Sequence, residues 1–510
     1  MTTLRHRTGP ALPAIHAPEF ELDQIAKPGR PPAVFTEGSI LRHVVVMSAT
    51  GAVGLLAIFL VDLANLFYIS LLGQQYLAAA VGYAATIMFF TVSASIGFTI
   101  AATAITARAL GAGDRIAAGR NAASSLVYIF VLNVALAALL FPFLGQVLGL
   151  IGATGETHAV ALHFMRIVLP SIPLLGLGMC LAGILRARGD ARRAMHVTLS
   201  AAIAASFIDP LLIFGLDLGI TGAAISAVIV RLLFVIVGFH GVWNVHRMLA
   251  RPDTAWLRQQ LRPFLAIGVP AVLTQVATPV GNAYVTGVMA GFGDDAVAGW
   301  AIVGRIVPMA FAAIFALTGA IGPILSQNLG AGRLDRLQVT MRDSLLFTGT
   351  YVLGVWLLLA LASPLIVTIF GASGDAATLI RFFCLYVAGS FLFTGALFVA
   401  NAAFNNLDRP MLSTVFNWGR ATLGVVPFVH YGAQWGPSGV LAAWGVGSIL
   451  FGILAVIASF RVVANLSVAH GRKREEPATV MPSANLPFTS GRAAGIGWTD
   501  SGGPIDDGKP

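Results

Sequence analysis

The chain has 510 residues, 57% of them hydrophobic and only 10% charged, with a formal net charge of +9 at pH 7 and a mean hydropathy of +0.83. This composition excludes a soluble globular domain and describes a multi-span membrane protein. The basic excess does not indicate nucleic acid, because it is spread over the loops between apolar stretches and no nucleic-acid motif accompanies it.

Residues 1–42 form a polar leader containing Pro10, Pro13, Pro18, Pro28, Pro31 and Pro32, expected to be disordered and cytoplasmic. The first apolar stretch starts too late and runs too long for a cleaved signal peptide. Twelve apolar stretches follow, at about 43–72, 77–107, 121–145, 158–185, 195–217, 220–246, 264–292, 297–327, 341–370, 376–403, 411–432 and 437–460, each near the roughly 20 residues that cross a bilayer. The expected fold is all-α and integral to the membrane, with an N-terminal six-helix lobe (43–246), a cytoplasmic linker (247–263), a C-terminal six-helix lobe (264–462) and a disordered cytoplasmic tail (463–510). Alternate loops are basic, as in Arg186, Arg188, Arg192 and Arg193, or Arg333, Arg336 and Arg342, whereas the intervening loops lack Lys and Arg. The positive-inside rule then puts both termini in the cytoplasm. Residue usage and the lack of a targeting peptide suggest a bacterial inner (plasma) membrane, and nothing suggests an obligate protein partner, so a monomer in the lipid bilayer is expected.

The two halves repeat. Leu110-Gly111-Ala112-Gly113 matches Leu329-Gly330-Ala331-Gly332, Gly152 to Glu156 matches Gly371 to Asp375, Asp190 matches Asp408, and Gly215, Gly219 and Gly222 match Gly432, Gly436 and Gly439. The offsets are 219, 219, 218 and 217 residues. Six spans per half make this a parallel repeat about an axis along the membrane normal, the arrangement of secondary transporters.

Within the spans, the acids are Asp62 and Asp209. A charge at bilayer depth is costly and usually marks function. Both lie roughly 12–15 Å below the outer surface at 1.5 Å per residue. Two carboxylates at one depth in a low dielectric favour sharing a proton over carrying two charges, which makes them the candidate proton or ion coupling pair. Asn65 and Tyr68 follow Asp62, and Ser206 precedes Asp209 by three residues; these are candidate cavity residues. In the second half the candidates are neutral: Gln275, Asn282 and Tyr284. The intramembrane arginines, Arg166, Arg231, Arg305, Arg381 and Arg420, are expected to snorkel or to pair. Cys180 and Cys384 sit in apolar runs, no metal-ligand spacing occurs, and no hydrolase or nucleotide-binding motif is present. An enzyme, a cofactor and a bound metal are therefore not expected.

In order along the chain, Val61-Asp62, Leu110 to Gly113, Leu185 to Asp190, Asp209-Pro210-Leu211-Leu212-Ile213-Phe214-Gly215, Gly219 to Ala224 and Gln327 to Gly332 resemble the multidrug and toxic compound extrusion (MATE) family over about residues 40–462. The resemblance implies two lobes working by alternating access, with export of amphipathic, often cationic compounds against protons or sodium ions, and it assigns Asp62 and Asp209 to the coupling network of the N-terminal lobe. Ala205 stands where that network usually carries Asn. Ala227, beside Ser226, stands where it often carries Thr, and the acids of some relatives in spans 7 and 10 are absent. On this pattern the chain is similar to the DNA-damage-inducible branch. Protons are favoured over sodium, which wants more oxygen ligands. The alternatives are a lipid-linked precursor flippase of the same superfamily and, more remotely, a membrane-embedded enzyme.

Overall fold

The computed structural model describes residues 33–72 and 75–475. The first half comprises α1 (Ile40–Leu71), α2 (Gln75–Gly111), α3 (Arg115–Leu140) running on into α4 (Leu144–Leu150), α5 (Gly155–Val168) running on into α6 (Ile172–Arg188), α7 (Ala191–Pro210) and α8 (Gly219–Phe239). The second half comprises α9 (Thr254–Ala290), α10 (Asp294–Ala310) and α11 (Ala312–Gly330) interrupted at Phe311, α12 (Leu334–Ile369), α13 (Gly374–Phe382) leading to α14 (Phe391–Asn406), α15 (Pro410–Gly419) leading to α16 (Val426–Gly432), and α17 (Gly436–Glu475). No strand occurs among the described residues.

Eleven runs are long and apolar enough to cross a membrane, and one of these, Pro410–Leu466, has 57 residues, far more than one crossing needs. It doubles back at Gly436, whose φ of 76° suits a residue without a Cβ. Beyond that turn Gly432 meets Gly439 and Gly424 meets Gly447 so closely that a Cβ on Gly432, Gly439 or Gly447 would overlap the facing backbone. Small residues let two helices pack backbone to backbone in lipid. Counted as this hairpin, the run brings the total to twelve crossings.

The halves join through α1 and α2, which pack against α9 and α11. The joint lies where the basic loops gather, and it keeps the repeat symmetry. Arg108 Nη2 donates to the Asn406 carbonyl at 2.8 Å, and Gln327 Nε2 donates to the Ala187 carbonyl at 2.7 Å. Residues 108 and 327, like 187 and 406, stand 219 apart, so each half reaches across to the same helix end of the other. Gly111 and Gly330 obey the same relation: a Cβ on either would overlap the Gln327 or the Arg108 carbonyl oxygen, respectively. Arg108 also pairs with Asp408 at 2.8 Å.

The leader is ordered from residue 33, which corrects the expectation for 33–42. Phe35 is 1% exposed. Its N–H donates to Gln327 Oε1 at 2.9 Å, and its carbonyl accepts from Asn328 Nδ2 and Arg336 Nη2, both at 3.1 Å. Val34 meanwhile abuts Gly189 in the first half. Residues 33–38 thus form a strap that touches both lobes at the basic end. An apolar ring and two satisfied backbone groups outweigh the prolines upstream, because burial and hydrogen bonding together offset the ordering entropy. Replacing Phe35 by alanine should destabilise the chain by ~3 kcal/mol, at the low end for buried Phe truncation, with Phe35→Leu recovering most of it; thermal inactivation of the solubilised protein measures both.

Two further boundaries move. Residues 254–263 of the expected linker are the first turns of α9, capped by Asp253, which accepts the Trp256 N–H at 2.6 Å. They are tied to α3 by Trp256 Nε1 donating to Asn121 Oδ1 at 3.2 Å and by the Tyr128 hydroxyl donating to the Leu257 carbonyl. Residues 463–475 of the expected disordered tail continue α17. Residues 1–32 and 476–510 lie outside the described residues.

At the start of α7, Asp190 caps the helix through the Arg193 N–H at 3.0 Å and accepts from His246 at 2.8 Å. Burial alone would raise its carboxyl, but His246 and the Arg193 amide and guanidinium hold it well below the usual carboxylate range. A carboxyl lowered by folding contributes fully above the unfolded value of roughly 3.9, and the contribution fades as the pH falls through the acid range. Asp190→Ala should cost ~0.5–2 kcal/mol at pH 7, toward the lower end because solvent screens the pair. The gap between the two chains should narrow below pH 4, as read by thermal melts at both pH values.

Candidate functional site

Asp62 sits on α1. The exposed apolar stripe of that helix is Leu56, Leu60, Leu63, Phe67 and Leu71. At 100° per residue Asp62 lies on the opposite side, which it shares with the buried Ile69, itself packed on Ile213 and Ala223 of the N-terminal lobe. Asp62 is nonetheless solvent-accessible. Asp209 is the buried member at 3% exposure.

The local sequence explains how Asp209 is held. Pro210 has no N–H to donate, and α7 loosens into a π turn over Leu211–Gly215, a feature common at functional sites. Opposite, Gly222 meets the Leu212 carbonyl so closely that a Cβ would lie 2.6 Å from it. That approach draws α8 onto α7. One turn further along, the Ser226 hydroxyl donates to Asp209 Oδ1. The oxygen expected to be lacking at Ala227 is therefore supplied by its neighbour Ser226. The signal was present in the hairpin register: three residues back from Leu212 and four forward from Gly222 lead to Asp209 and Ser226.

The other candidates divide. Asn65 lies beside Asp62 with its Oδ1 buried and without a hydrogen-bond partner among the described residues. Ser206 is occupied locally, donating to the Ala202 carbonyl at 3.0 Å. Tyr68 stands edge-on to Phe214 in an apolar cluster with Ile69 and Leu77, away from the acids. In the second half, Gln275 and Asn282 are half-buried on α9. Tyr284 lines a cavity of about 570 Å³ with Thr422, His430 and Tyr431, between α9 and α16 and apart from the acid pair.

Sequence reasoning missed a neutral polar network in the C-terminal lobe. The Thr274 hydroxyl lies 3.0 Å from Ser413 Oγ, Ser413 donates to Asn405 Oδ1 at 2.9 Å, and Asn417 donates to Asn401 Oδ1 at 2.9 Å. The arginines also depart from expectation. Arg231 and Arg420 are buried at 8% and 5% exposure and neither snorkels nor pairs with an acid. Arg231 donates to the Val168 carbonyl at 2.8 Å and to Ser171 Oγ at 2.6 Å; the break at Pro170 before α6 makes such carbonyls available.

A duplicated bundle of twelve crossings with an acid pair inside one lobe defines a polytopic membrane transporter. The MatE family model matches residues 52–211 and again 270–429, the two copies starting 218 residues apart. The chain belongs to this family, whose members are transporters and not enzymes. It is similar to the FAD transporter of Shewanella oneidensis, with 28% identity over 424 residues, 82% of this chain and 93% of that protein. It is also similar to the multidrug export protein MepA of Staphylococcus haemolyticus, with 23% identity over 85% of this chain and 96% of that one. In fold it matches a variant of the Vibrio cholerae MATE transporter VcmN at a TM-score of 0.79 and 23% identity, over 84% of this chain and 97% of that one.

Proposed function

We propose that the chain is a secondary antiporter that exports amphipathic, mainly cationic compounds in exchange for protons, acting as a single chain in a bacterial inner membrane with both termini in the cytoplasm. The observation that carries this reading is Asp209, buried and hydrogen-bonded to Ser226, in the same lobe as the accessible Asp62. A pair that shares one proton binds and releases it as a unit. Alanine at 205 removes an oxygen that a hard cation would use, so protons are favoured over sodium. Deprotonated, the site attracts a cationic compound; protonated, it releases it.

The strap and the paired crossings of Arg108 and Gln327 support alternating access, because discrete hydrogen bonds and glycine contacts at the basic end can part while each lobe stays intact. The reading assigns that end to the cytoplasm, so the contacts break when the cavity turns inward. Ethidium added to liposomes containing the purified protein should release lumenal protons without a sodium requirement. A signal that appears only with sodium, or no signal with any cation, overturns the proposal.

A further inference from the structure

We infer that the C-terminal lobe holds an oxyanion-accepting site centred on Arg420, so that the exported compounds include amphipathic molecules bearing a carboxylate or phosphate group. This deepens the antiporter reading and rests on it.

Arg420 begins a π turn, Arg420–Gly424, between α15 and α16. Arg420 is 5% exposed, and its guanidinium is under-satisfied. Nη2 donates to Thr278 Oγ1 at 2.9 Å, and Nη1 reaches Ser448 Oγ only at 3.5 Å, beyond the usual hydrogen-bond range. Nε is buried with no partner, and no carboxylate among the described residues pairs with the group. Arg231 shows what a purely structural buried arginine looks like in this chain: a carbonyl and a hydroxyl held at 2.8 and 2.6 Å. A buried guanidinium with unmet donors and no counter-ion is expensive, and an anion is the group that would complete it.

The surroundings suit that role. Thr278 lies on one face of α9 with Gln275, three residues before, and Asn282, four after. Both amides are half-exposed, and neither side chain forms a hydrogen bond with a described residue. Pro279 has no N–H to give the Gln275 carbonyl, which loosens the helix at this level. Amide N–H groups, a hydroxyl and a planar guanidinium are the donor set that holds carboxylate or phosphate.

Riboflavin and FMN test this directly, because they differ only by a phosphate. The full chain in detergent micelles should bind FMN at least about tenfold more tightly than riboflavin, a preference of the size expected of a charge-assisted bidentate contact. Inorganic pyrophosphate should compete with FMN and leave riboflavin binding unchanged. Arg420→Gln should erase the preference without altering riboflavin binding, and Arg420→Lys should keep part of it. An Arg420→Gln chain that still prefers FMN, or an unmodified chain bound by neither FMN nor pyrophosphate at millimolar concentration, overturns the site. Should Arg420→Gln fail to fold, the Arg420→Lys chain and pyrophosphate competition on the unmodified chain decide. Ethidium-driven proton release by the same chains in liposomes reports on the antiporter reading alone, so the two can fail separately.

Discussion

Asp209→Asn should reduce proton-driven export to below about a tenth of the unmodified rate, and Asp62→Asn should do the same, because a pair that works by sharing one proton is lost when either member becomes an amide. Asparagine preserves shape and can still meet Ser226, so the folded lobe and passive dye binding should survive. That separates loss of coupling from loss of structure. The measurement is lumenal pH in liposomes as ethidium is added, alongside dye binding by the same preparations. Ser226→Ala should act less severely, lowering export several-fold, since it removes one hydrogen bond to a charged acceptor worth ~1.5–3 kcal/mol. Export by Asp209→Asn at the unmodified rate would end the proposed coupling role. If Ser226→Ala exceeded both aspartate variants in severity, the hydroxyl and not the acid would be the working group.

The second large effect is expected at the joint between the lobes. At Gly111 and Gly330 an added Cβ would strike a backbone carbonyl of the other half, and backbone cannot rotate aside as a side chain does. Gly111→Val should therefore force the lobes apart at the basic end, break the Arg108 and Gln327 crossings and reduce export about tenfold by depopulating the state closed there, a shift of roughly 1.4 kcal/mol. Gly330→Val should match it, because the repeat places the two glycines in equivalent contacts. Spin labels at Ile116 and Val339, both exposed and on opposite halves, should separate further in either variant. Gly113→Val provides the contrast: nothing lies within 4 Å of its added Cβ, so the cost there is local strain at a positive φ of 80° with no change in lobe separation. Unchanged label distances in Gly111→Val would mean that the joint yields by local adjustment and does not gate.

The sequence by itself determined the twelve crossings, the duplication and the position of the acids. Each of these is local or additive. An apolar run of about 20 residues identifies itself, a repeat survives as an ordered set of turn motifs, and a carboxylate inside such a run stands out because its cost in lipid is so high. What only the tertiary structure decided depends on which residues face each other across helices. On a helix one position changes the direction of a side chain by 100°, so Ser226 rather than Ala227 meeting Asp209 followed from the close approach at Gly222. The strap at residues 33–38 was hidden among prolines because its partners, Gln327, Asn328 and Arg336, lie nearly 300 residues away. Likewise Arg231 and Arg420 are alike in sequence as arginines within apolar runs. Their difference, one satisfied by a helix break and the other left with a bare Nε, exists only once the neighbouring spans are in place.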